Sequence, residues 1–213
     1  MKTYIDRGDV SGLQAYLLRD NTEVNVPLFT GPEGKHPVHP LNYVCDRVYA
    51  KIVDQSAGLA MVEVLVNAGA KPNGHPDQLD TPLLAACRMR CDDIALYLID
   101  LGVDLSARGT HGGTALHWAS WIGSDRVVER LLLENVNVED DQNQFQCTPL
   151  HWALDGWLNE QGNLRGQQRV TELLVKAGAA LDARNREMKS AREILQRAGL
   201  DDWLQRLDGW ALG

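Results

Sequence analysis

Apolar residues recur along the chain in four similar segments. Each segment carries two adjacent aliphatic residues, and Leu65, Leu98 and Leu131 begin the first three pairs at intervals of 33 residues. Leu173 begins the fourth pair, 42 residues further on. Aliphatic pairs among polar neighbours are typical of an amphipathic helix that buries one face. The spacing therefore predicts a set of repeated amphipathic helices.

A small turn follows each of these predicted helices. Gly69, Gly102 and Gly178 stand in three of the turns, and Asn135 takes the place of glycine in the other. Glycine adopts the left-handed backbone region without strain, and asparagine is the next most tolerant residue. The pattern predicts that each helix ends in a left-handed C-cap.

A second motif repeats at a matching interval. It reads T-P-L-L-A-A from Thr81, T-A-L-H-W-A from Thr114 and T-P-L-H-W-A from Thr148, at spacings of 33 and 34 residues. A threonine oxygen can accept from the first backbone N–H groups of a helix. Pro82 and Pro149 follow at the first helical position, where a missing N–H costs nothing. Each repeat is thus predicted to pair an inner helix, starting at this motif, with an outer helix.

The T-P-L-H-x-A core at this period resembles the ankyrin repeat. The resemblance covers about residues 5–207 and implies an all-α solenoid of helix pairs with short turn fingers, in a single domain spanning residues 1–213. About four full repeats would lie between degenerate N- and C-terminal caps. The predicted segments are an N-terminal half repeat at 5–26, repeats at 35–73, 76–108, 109–142 and 143–185, and a C-terminal cap at 186–207.

Two of these repeats, 35–73 and 143–185, carry inserts. Nine extra residues fall within 46–60 and are compatible with helix, whereas eight fall within 155–168. Three glycines between residues 156 and 166 predict a loop there, after a lengthened helix. Segment 27–40 contains four prolines and is predicted to be an irregular loop.

Composition narrows the classes of partner. The net charge of −8 argues against sequence-independent nucleic-acid binding and favours a basic partner. No apolar run has the length that a membrane span needs, and the first residues lack a signal peptide. We therefore expect a cytoplasmic protein without nucleic-acid, membrane, metal or cofactor binding, monomeric when free. Its cysteines are expected to be reduced thiols, at positions Cys45, Cys87, Cys91 and Cys147.

The resemblance implies that the chain binds a partner protein through the concave face made by inner helices and turn tips, with no catalysis of its own. Candidate contact residues on or after the inner helices are Arg88, Met89, Trp118, Trp121, Ile122, Trp152, Asp155 and Trp157. Candidates at turn tips are Asp77, Gln78, Asp80, Thr110, His111, Gln144 and Phe145.

The aromatic candidates differ in their expected exposure and role. Trp118 and Trp152 occupy the same helical position in successive repeats, so they either pack between repeats or form an aromatic patch partly open to a partner. Trp121, Ile122 and Trp157 are expected at exposed positions, where large apolar side chains are typical of partner contact. Phe145 at a turn tip is expected to be exposed for the same reason.

Two histidines invite a catalytic interpretation. His117 and His151 lie in the repeated motif, where the resemblance implies a hydrogen-bond network with the threonine cap, and Leu84 holds the same position in another repeat. No nucleophile elbow, P-loop or zinc-protease motif occurs. Two alternatives to a general binding module stay open: a dedicated inhibitor or immunity-type protein that blocks a cognate toxin or enzyme, and an enzyme with a site in an insert.

Overall fold

The computed structural model describes residues 1–30, 36–159 and 164–211. These residues form twelve α-helices, one short 3-10 helix and a two-stranded sheet. They confirm the predicted all-α, ankyrin-type class of helix pairs. The chain divides into two compact units, Met1–Asp104 and Leu105–Gly213. The single domain 1–213 and the bounds of the repeats stay predictions.

The first unit stacks an inner row of helices on an outer row. Helices α1, α3 and α5 make the inner row, and α2, α4 and α6 the outer row. The elements in chain order are α1 Lys2–Asp6, α2 Val10–Arg19, β1 Leu28–Thr30, β2 His36–Val38, α3 Pro40–Tyr49, α4 Gln55–Asn67, α5 Pro82–Arg88 and α6 Asp92–Asp100.

The second unit repeats this arrangement. Inner helix α7 packs on α9 and α9 on α11, while outer helix α8 packs on α10 and α10 on α12. The elements are a 3-10 turn at Thr110–Gly112, then α7 Ala115–Ile122, α8 Asp125–Leu133, α9 Pro149–Leu158, α10 Leu164–Lys176, α11 Ala191–Arg197 and α12 Asp201–Ala211. No helix of the described residues has the length and apolar character needed to cross a membrane.

The helix ends confirm the capping residues predicted from sequence. Thr81, Thr114 and Thr148 are the N-caps of α5, α7 and α9. Asn135 adopts a φ of 54° after α8, in the region that glycine occupies after the other outer helices. Local sequence therefore sets where each helix starts and stops.

The prediction of an irregular loop at 27–40 is wrong for the described part. Leu28–Thr30 pairs with His36–Val38 as two antiparallel strands, in the register Leu28 to Val38. The residues of β1 favour extended backbone, and Pro37 is tolerated because the sheet has only edge strands. The rest of this segment, 31–35, lies outside the described residues.

The two inserts mainly lengthen helices. Helices α3 and α4 have 10 and 13 residues, whereas α5 and α6 have 7 and 9. The predicted loop at 156–166 is wrong at both ends, because residues 156–158 continue α9 and residues 164–166 begin α10. Residues 160–163 of that predicted loop lie outside the described residues. The prediction is wrong because Gly156 is required for close packing between helices: a Cβ atom there would lie 1.9 Å from the Trp121 carbonyl oxygen.

His39 is a buried histidine at the N-terminus of α3. Its Nδ1 atom accepts from the Leu41 backbone N–H at 3.4 Å, at the cap position that threonine holds in other repeats. Burial, helped by the neighbouring His75 and Lys71, lowers the pKa of His39 to about 4. The folded chain thus holds this imidazole in its neutral form.

We expect the unfolding free energy to fall as the pH drops from about 6.5 to about 4. Over that range His39 takes up a proton in the unfolded chain but stays neutral in the folded chain. The stability that neutral His39 contributes is therefore fully present above pH 6.5 and is lost by about pH 4. The difference between the folded and unfolded pKa of His39 corresponds to about 3 kcal/mol of unfolding free energy. Urea unfolding at successive pH values measures it. The variant His39→Thr, which keeps a cap but does not titrate, should have a shallower profile; an unchanged slope would contradict this assignment.

Candidate protein-binding site

Two histidine networks fix the inner helices of the second unit. His117 Nδ1 accepts from the Thr114 backbone N–H at 3.2 Å, and its Nε2 lies 2.9 Å from the Asp140 carbonyl oxygen. His151 repeats the pattern, with Nδ1 facing Thr148 N–H at 3.2 Å and Nε2 facing the Lys189 carbonyl at 3.2 Å. These partners require the neutral tautomer with hydrogen on Nε2.

Burial keeps both of these imidazoles neutral. It is the main cause that lowers the pKa of His117 and of His151. Both nitrogens of each ring are already engaged with backbone groups, so neither ring has an atom free for a substrate. The two histidines are therefore structural, and they hold the residues that follow them in fixed positions.

Trp118 and Trp152 follow the two histidines and contact each other directly. Their ring centroids lie 5.0 Å apart at an interplanar angle of 86°, and each side chain is only 6% exposed. Trp121 packs edge to face on Trp118 at 5.7 Å and 84°. Trp118 and Trp152 thus pack between repeats, and both also line a cavity.

A cavity of about 620 Å³ opens beside these tryptophans. This volume lies within the range typical of ligand pockets. Six of the residues predicted from sequence line it: His111, Trp118, Trp121, Phe145, Trp152 and Asp155. We call it the tryptophan pocket.

Gly113 makes the close packing of Trp118 and Trp152 possible. A Cβ atom at Gly113 would lie 2.8 Å from Cη2 of Trp152 and 3.3 Å from Nε1 of Trp118. Such a contact is shorter than the rings tolerate without shifting. Gly113 before Thr114 therefore allows the two tryptophans that line the pocket to pack closely against the backbone.

Phe145 and His111, which lie at turn tips, form one side of the pocket. Phe145 is 44% exposed, and its ring lies 5.4 Å from His111 and 6.2 Å from Trp152. Neighbouring turns are joined by backbone hydrogen bonds, Gln144 N to His111 O at 3.1 Å and Arg186 N to Phe145 O at 3.0 Å. Phe145 is exposed as expected, in a position to contact a partner.

The Asp155 carboxylate lies on the opposite side of the pocket from the turn tips, near the end of α9. The Trp121 indole N–H donates to Asp155 Oδ2 at 2.9 Å, and the Asn159 side-chain amide donates to Asp155 Oδ1 at 2.8 Å. Two donors thus fix the orientation of a solvent-exposed carboxylate beside an aromatic ring.

Sequence reasoning missed the third turn of the pocket. Asn185, Arg186, Glu187 and Lys189 line it from the start of the C-terminal cap. Arg186 lies 42 residues after Gln144, the same interval that separates Ser190 from Thr148. Extending the list of turn tips by this interval would have found these residues.

A second group of predicted residues lies in the first unit. Asp77, Gln78, Asp80, Arg88 and Met89 line a cavity of about 320 Å³ together with residues of β2. Arg88 pairs with Asp80 at 3.0 Å, and Gln78 Oε1 accepts from the His39 backbone N–H at 2.9 Å. Asp80, Arg88 and Gln78 of this smaller cavity are thus each bonded within the first unit.

The structure corrects the expected exposure of three residues. Ile122 is 6% exposed and Trp157 8%, and neither lines the tryptophan pocket. Trp157 packs edge to face on Trp203 of α12 at 5.7 Å, so the C-terminal cap covers it. Trp121 is half-buried because it contacts Trp118 and Asp155. Thr110 and Gln144 lie at turn tips outside the lining, where Gln144 Oε1 is 3.1 Å from His111 Nδ1.

The described residues show no arrangement for metal or thiol chemistry. None of them forms a group of three histidine, cysteine, aspartate or glutamate side chains suited to hold a metal ion. Cys147 borders the tryptophan pocket, and burial raises the pKa of its thiol. A thiol with a raised pKa is a poor nucleophile. The site is thus an aromatic recess in which Trp121 and Asn159 orient the Asp155 carboxylate.

Comparison with known families agrees with this geometry. A family model described as ankyrin repeats (many copies) matches residues 83–132, and one described as ankyrin repeat matches residues 145–186. The chain belongs to the ankyrin-repeat family. Ankyrin repeats are protein–protein interaction modules, so the tryptophan pocket lies on a protein-binding scaffold.

Several curated ankyrin-containing proteins are similar to this chain. The E3 ubiquitin-protein ligase KEG of Arabidopsis thaliana is 29% identical over 67% of the chain and 9% of its own length. Palmitoyltransferase AKR1 of Lachancea kluyveri is 29% identical over 77% of the chain and 20% of its own length. Ankyrin repeat and SOCS box protein 11 of Danio rerio is 28% identical over 66% and 42%. The chain thus spans less than half the length of each of these relatives.

Proposed function

We propose that this ankyrin-repeat chain binds a partner protein through the tryptophan pocket and that it has no catalytic activity of its own. The observation that carries the proposal is the association of Phe145, Trp121 and Asp155 around one open cavity of about 620 Å³. Aromatic side chains are enriched in the cores of protein interfaces, and tryptophan is enriched among the residues that contribute most of the binding energy. A recess of this size accommodates side chains of an inserted segment.

The chemistry of the pocket supports binding over catalysis. His151 has both ring nitrogens engaged, and burial raises the pKa of the Cys147 thiol. General base or nucleophilic catalysis needs a group whose pKa and geometry leave it free to react. The enzyme names among the relatives belong to proteins of which this chain matches a minor part.

Phe145→Ala is expected to weaken partner binding at least about tenfold, as truncation of an interface anchor does. Phe145 is exposed, so the unfolding free energy should change little. The partner is first identified by capture on the immobilised chain and mass spectrometry, and the affinity of each variant is then measured by titration calorimetry. Trp121→Ala should also weaken binding, but it additionally removes contacts to Trp118 and Asp155 and so lowers stability.

Leu133→Ala is the matched control. It removes another exposed apolar side chain of the same unit, at the end of outer helix α8. If Leu133→Ala abolishes binding while Phe145→Ala leaves the affinity unchanged, the partner contacts the outer helices and the proposal is wrong. An assay of the captured protein with and without the chain distinguishes an inhibitor from an adaptor, because only an inhibitor suppresses its partner's activity.

A further inference from the structure

The α9 side of the tryptophan pocket combines a fixed carboxylate with an electron-rich ring. Trp121 donates its indole N–H to Asp155 Oδ2 at 2.9 Å, while Asn159 holds the other oxygen at 2.8 Å. A ring that donates a hydrogen bond to an anion gains electron density, which deepens the negative potential over its face. Each carboxylate oxygen retains a lone pair for a further donor. The pair is therefore suited to a cation.

Neighbouring rings extend this surface. Trp118 stands nearly perpendicular to both Trp121 and Trp152, at interplanar angles of 84° and 86°. Phe145 closes the turn side, 6.2 Å from Trp152. Rings set at right angles around a recess are the arrangement that surrounds organic cations. Trp118 and Trp152 are each only 6% exposed and support the recess from below, so the aromatic surface open to such a group comes from Trp121 and Phe145.

The positively charged side chains at the rim of the pocket already have partners on the neighbouring turns. Lys189 Nζ lies 2.6 Å from Glu187 Oε2, and Arg186 donates from Nη1 to the Gln144 carbonyl oxygen at 3.3 Å. Both cations lie on the turn that begins the C-terminal cap, whereas Asp155 lies on α9. The net charge of −8 further favours an approaching cation over an anion.

We infer that the tryptophan pocket binds an arginine side chain of the partner protein, with the guanidinium stacked against the face of the Trp121 ring and donating to the adjoining Asp155 carboxylate. This inference rests on the proposed function. Arginine is favoured over lysine because its planar guanidinium stacks on an aromatic face and donates two parallel hydrogen bonds to one carboxylate. A lysine ammonium would pair with the carboxylate charge but could neither stack as a planar group on the ring nor donate two parallel hydrogen bonds.

The probe for this inference is N-acetyl-arginine methylamide, added to the uniformly nitrogen-15-labelled chain. The indole N–H signal of Trp121, assigned through Trp121→Phe, should shift and saturate with increasing arginine derivative. The citrulline derivative has the same shape without the charge, and it should bind at least about fivefold more weakly, as should the lysine derivative. Equal affinities for arginine and citrulline, or for arginine and lysine, would overturn the inference.

Asp155→Asn tests the carboxylate directly. Asparagine retains an oxygen that accepts from Trp121, so the fold should persist, and an unchanged melting curve verifies this. The variant should lose at least about fivefold in arginine affinity and should bind arginine and citrulline alike. Glu129→Gln removes the same charge from exposed outer helix α8 and should leave the arginine affinity unchanged. Equal losses in both variants would show only general electrostatic attraction and overturn the inference.

Failure of this inference is distinguishable from failure of the proposed function. If Phe145→Ala weakens binding of the captured partner while the arginine derivative leaves the Trp121 signal in place, the pocket binds a protein through another side chain. If neither Phe145→Ala nor the arginine derivative has an effect, both the pocket and its ligand are wrongly assigned.

Discussion

Gly156→Ala is expected to lower the unfolding free energy by about 3 kcal/mol or more, at the upper end of the cost of overpacking. A Cβ atom at this position would lie 1.9 Å from the carbonyl oxygen of Trp121 and 2.8 Å from its carbonyl carbon. Both are backbone atoms that cannot rotate away. Helices α7 and α9 would therefore have to separate.

That separation would break further contacts. Gln167 of α10, which is buried, donates from its side-chain amide to the same Trp121 carbonyl at 3.2 Å. A Cβ at Gly156 would lie 2.9 Å from this amide nitrogen as well. Leaving a buried amide or carbonyl without its hydrogen bond adds about 1–3 kcal/mol. The substitution thus strains both the inner and the outer row of the second unit.

Gly209→Ala is the matched control for this prediction. Gly209 lies within helix α12, and a Cβ there would meet no other atom within 4 Å. Alanine should therefore stabilise by up to about 1 kcal/mol through its greater helix propensity. Urea unfolding of both variants measures the difference. Equal effects of the two substitutions would show that α7 and α9 do not approach as closely as described.

The repeated helices and their caps could be predicted from the sequence because their causes are local. Thr81, Thr114 and Thr148 act on N–H groups within the next turn of the helix, and Asn135 needs only its own backbone conformation. Because these effects are short-range, the residues responsible recur at a regular spacing that can be recognised in the sequence. The contact between Trp118 and Trp152 also follows from that spacing, since residues at one repeat position meet when repeats stack.

Exposure could not be predicted in the same way, because it depends on residues distant in sequence. Trp157 is buried by Trp203 of the C-terminal cap, 46 positions later in the numbering. The glycine content predicts a loop at Gly156, whereas the absence of a side chain there lets the Trp121 carbonyl approach α9. The hairpin at β1 and β2 escaped prediction because its prolines favoured an irregular loop over pairing. Each error concerns a contact that no local pattern encodes.

Deletion of residues 186–213 is expected to lower the melting temperature by more than about 10 °C and to cause aggregation. The C-terminal cap supplies Leu195 and Leu207, both fully buried, and Trp203 against Trp157. It also supplies the Lys189 carbonyl that accepts from His151. A loss of about 3 kcal/mol in a unit of this size corresponds to at least that temperature shift. Removal would leave the apolar flanks of α9 and α10 exposed to water and to other molecules.

Point substitutions within α12 separate this effect from that of shortening the chain. Leu207→Ala should cost about 2–5 kcal/mol because it empties a buried position, whereas Gln205→Ala on the exposed face of the same helix should be nearly neutral. Size-exclusion chromatography and thermal unfolding check all three variants. If the truncated chain elutes and melts like the intact one, or if Leu207→Ala is as mild as Gln205→Ala, then α12 does not cap the repeats. Trp157 would in that case be open to solvent in the intact chain, and its place among the candidate contact residues would have to be restored.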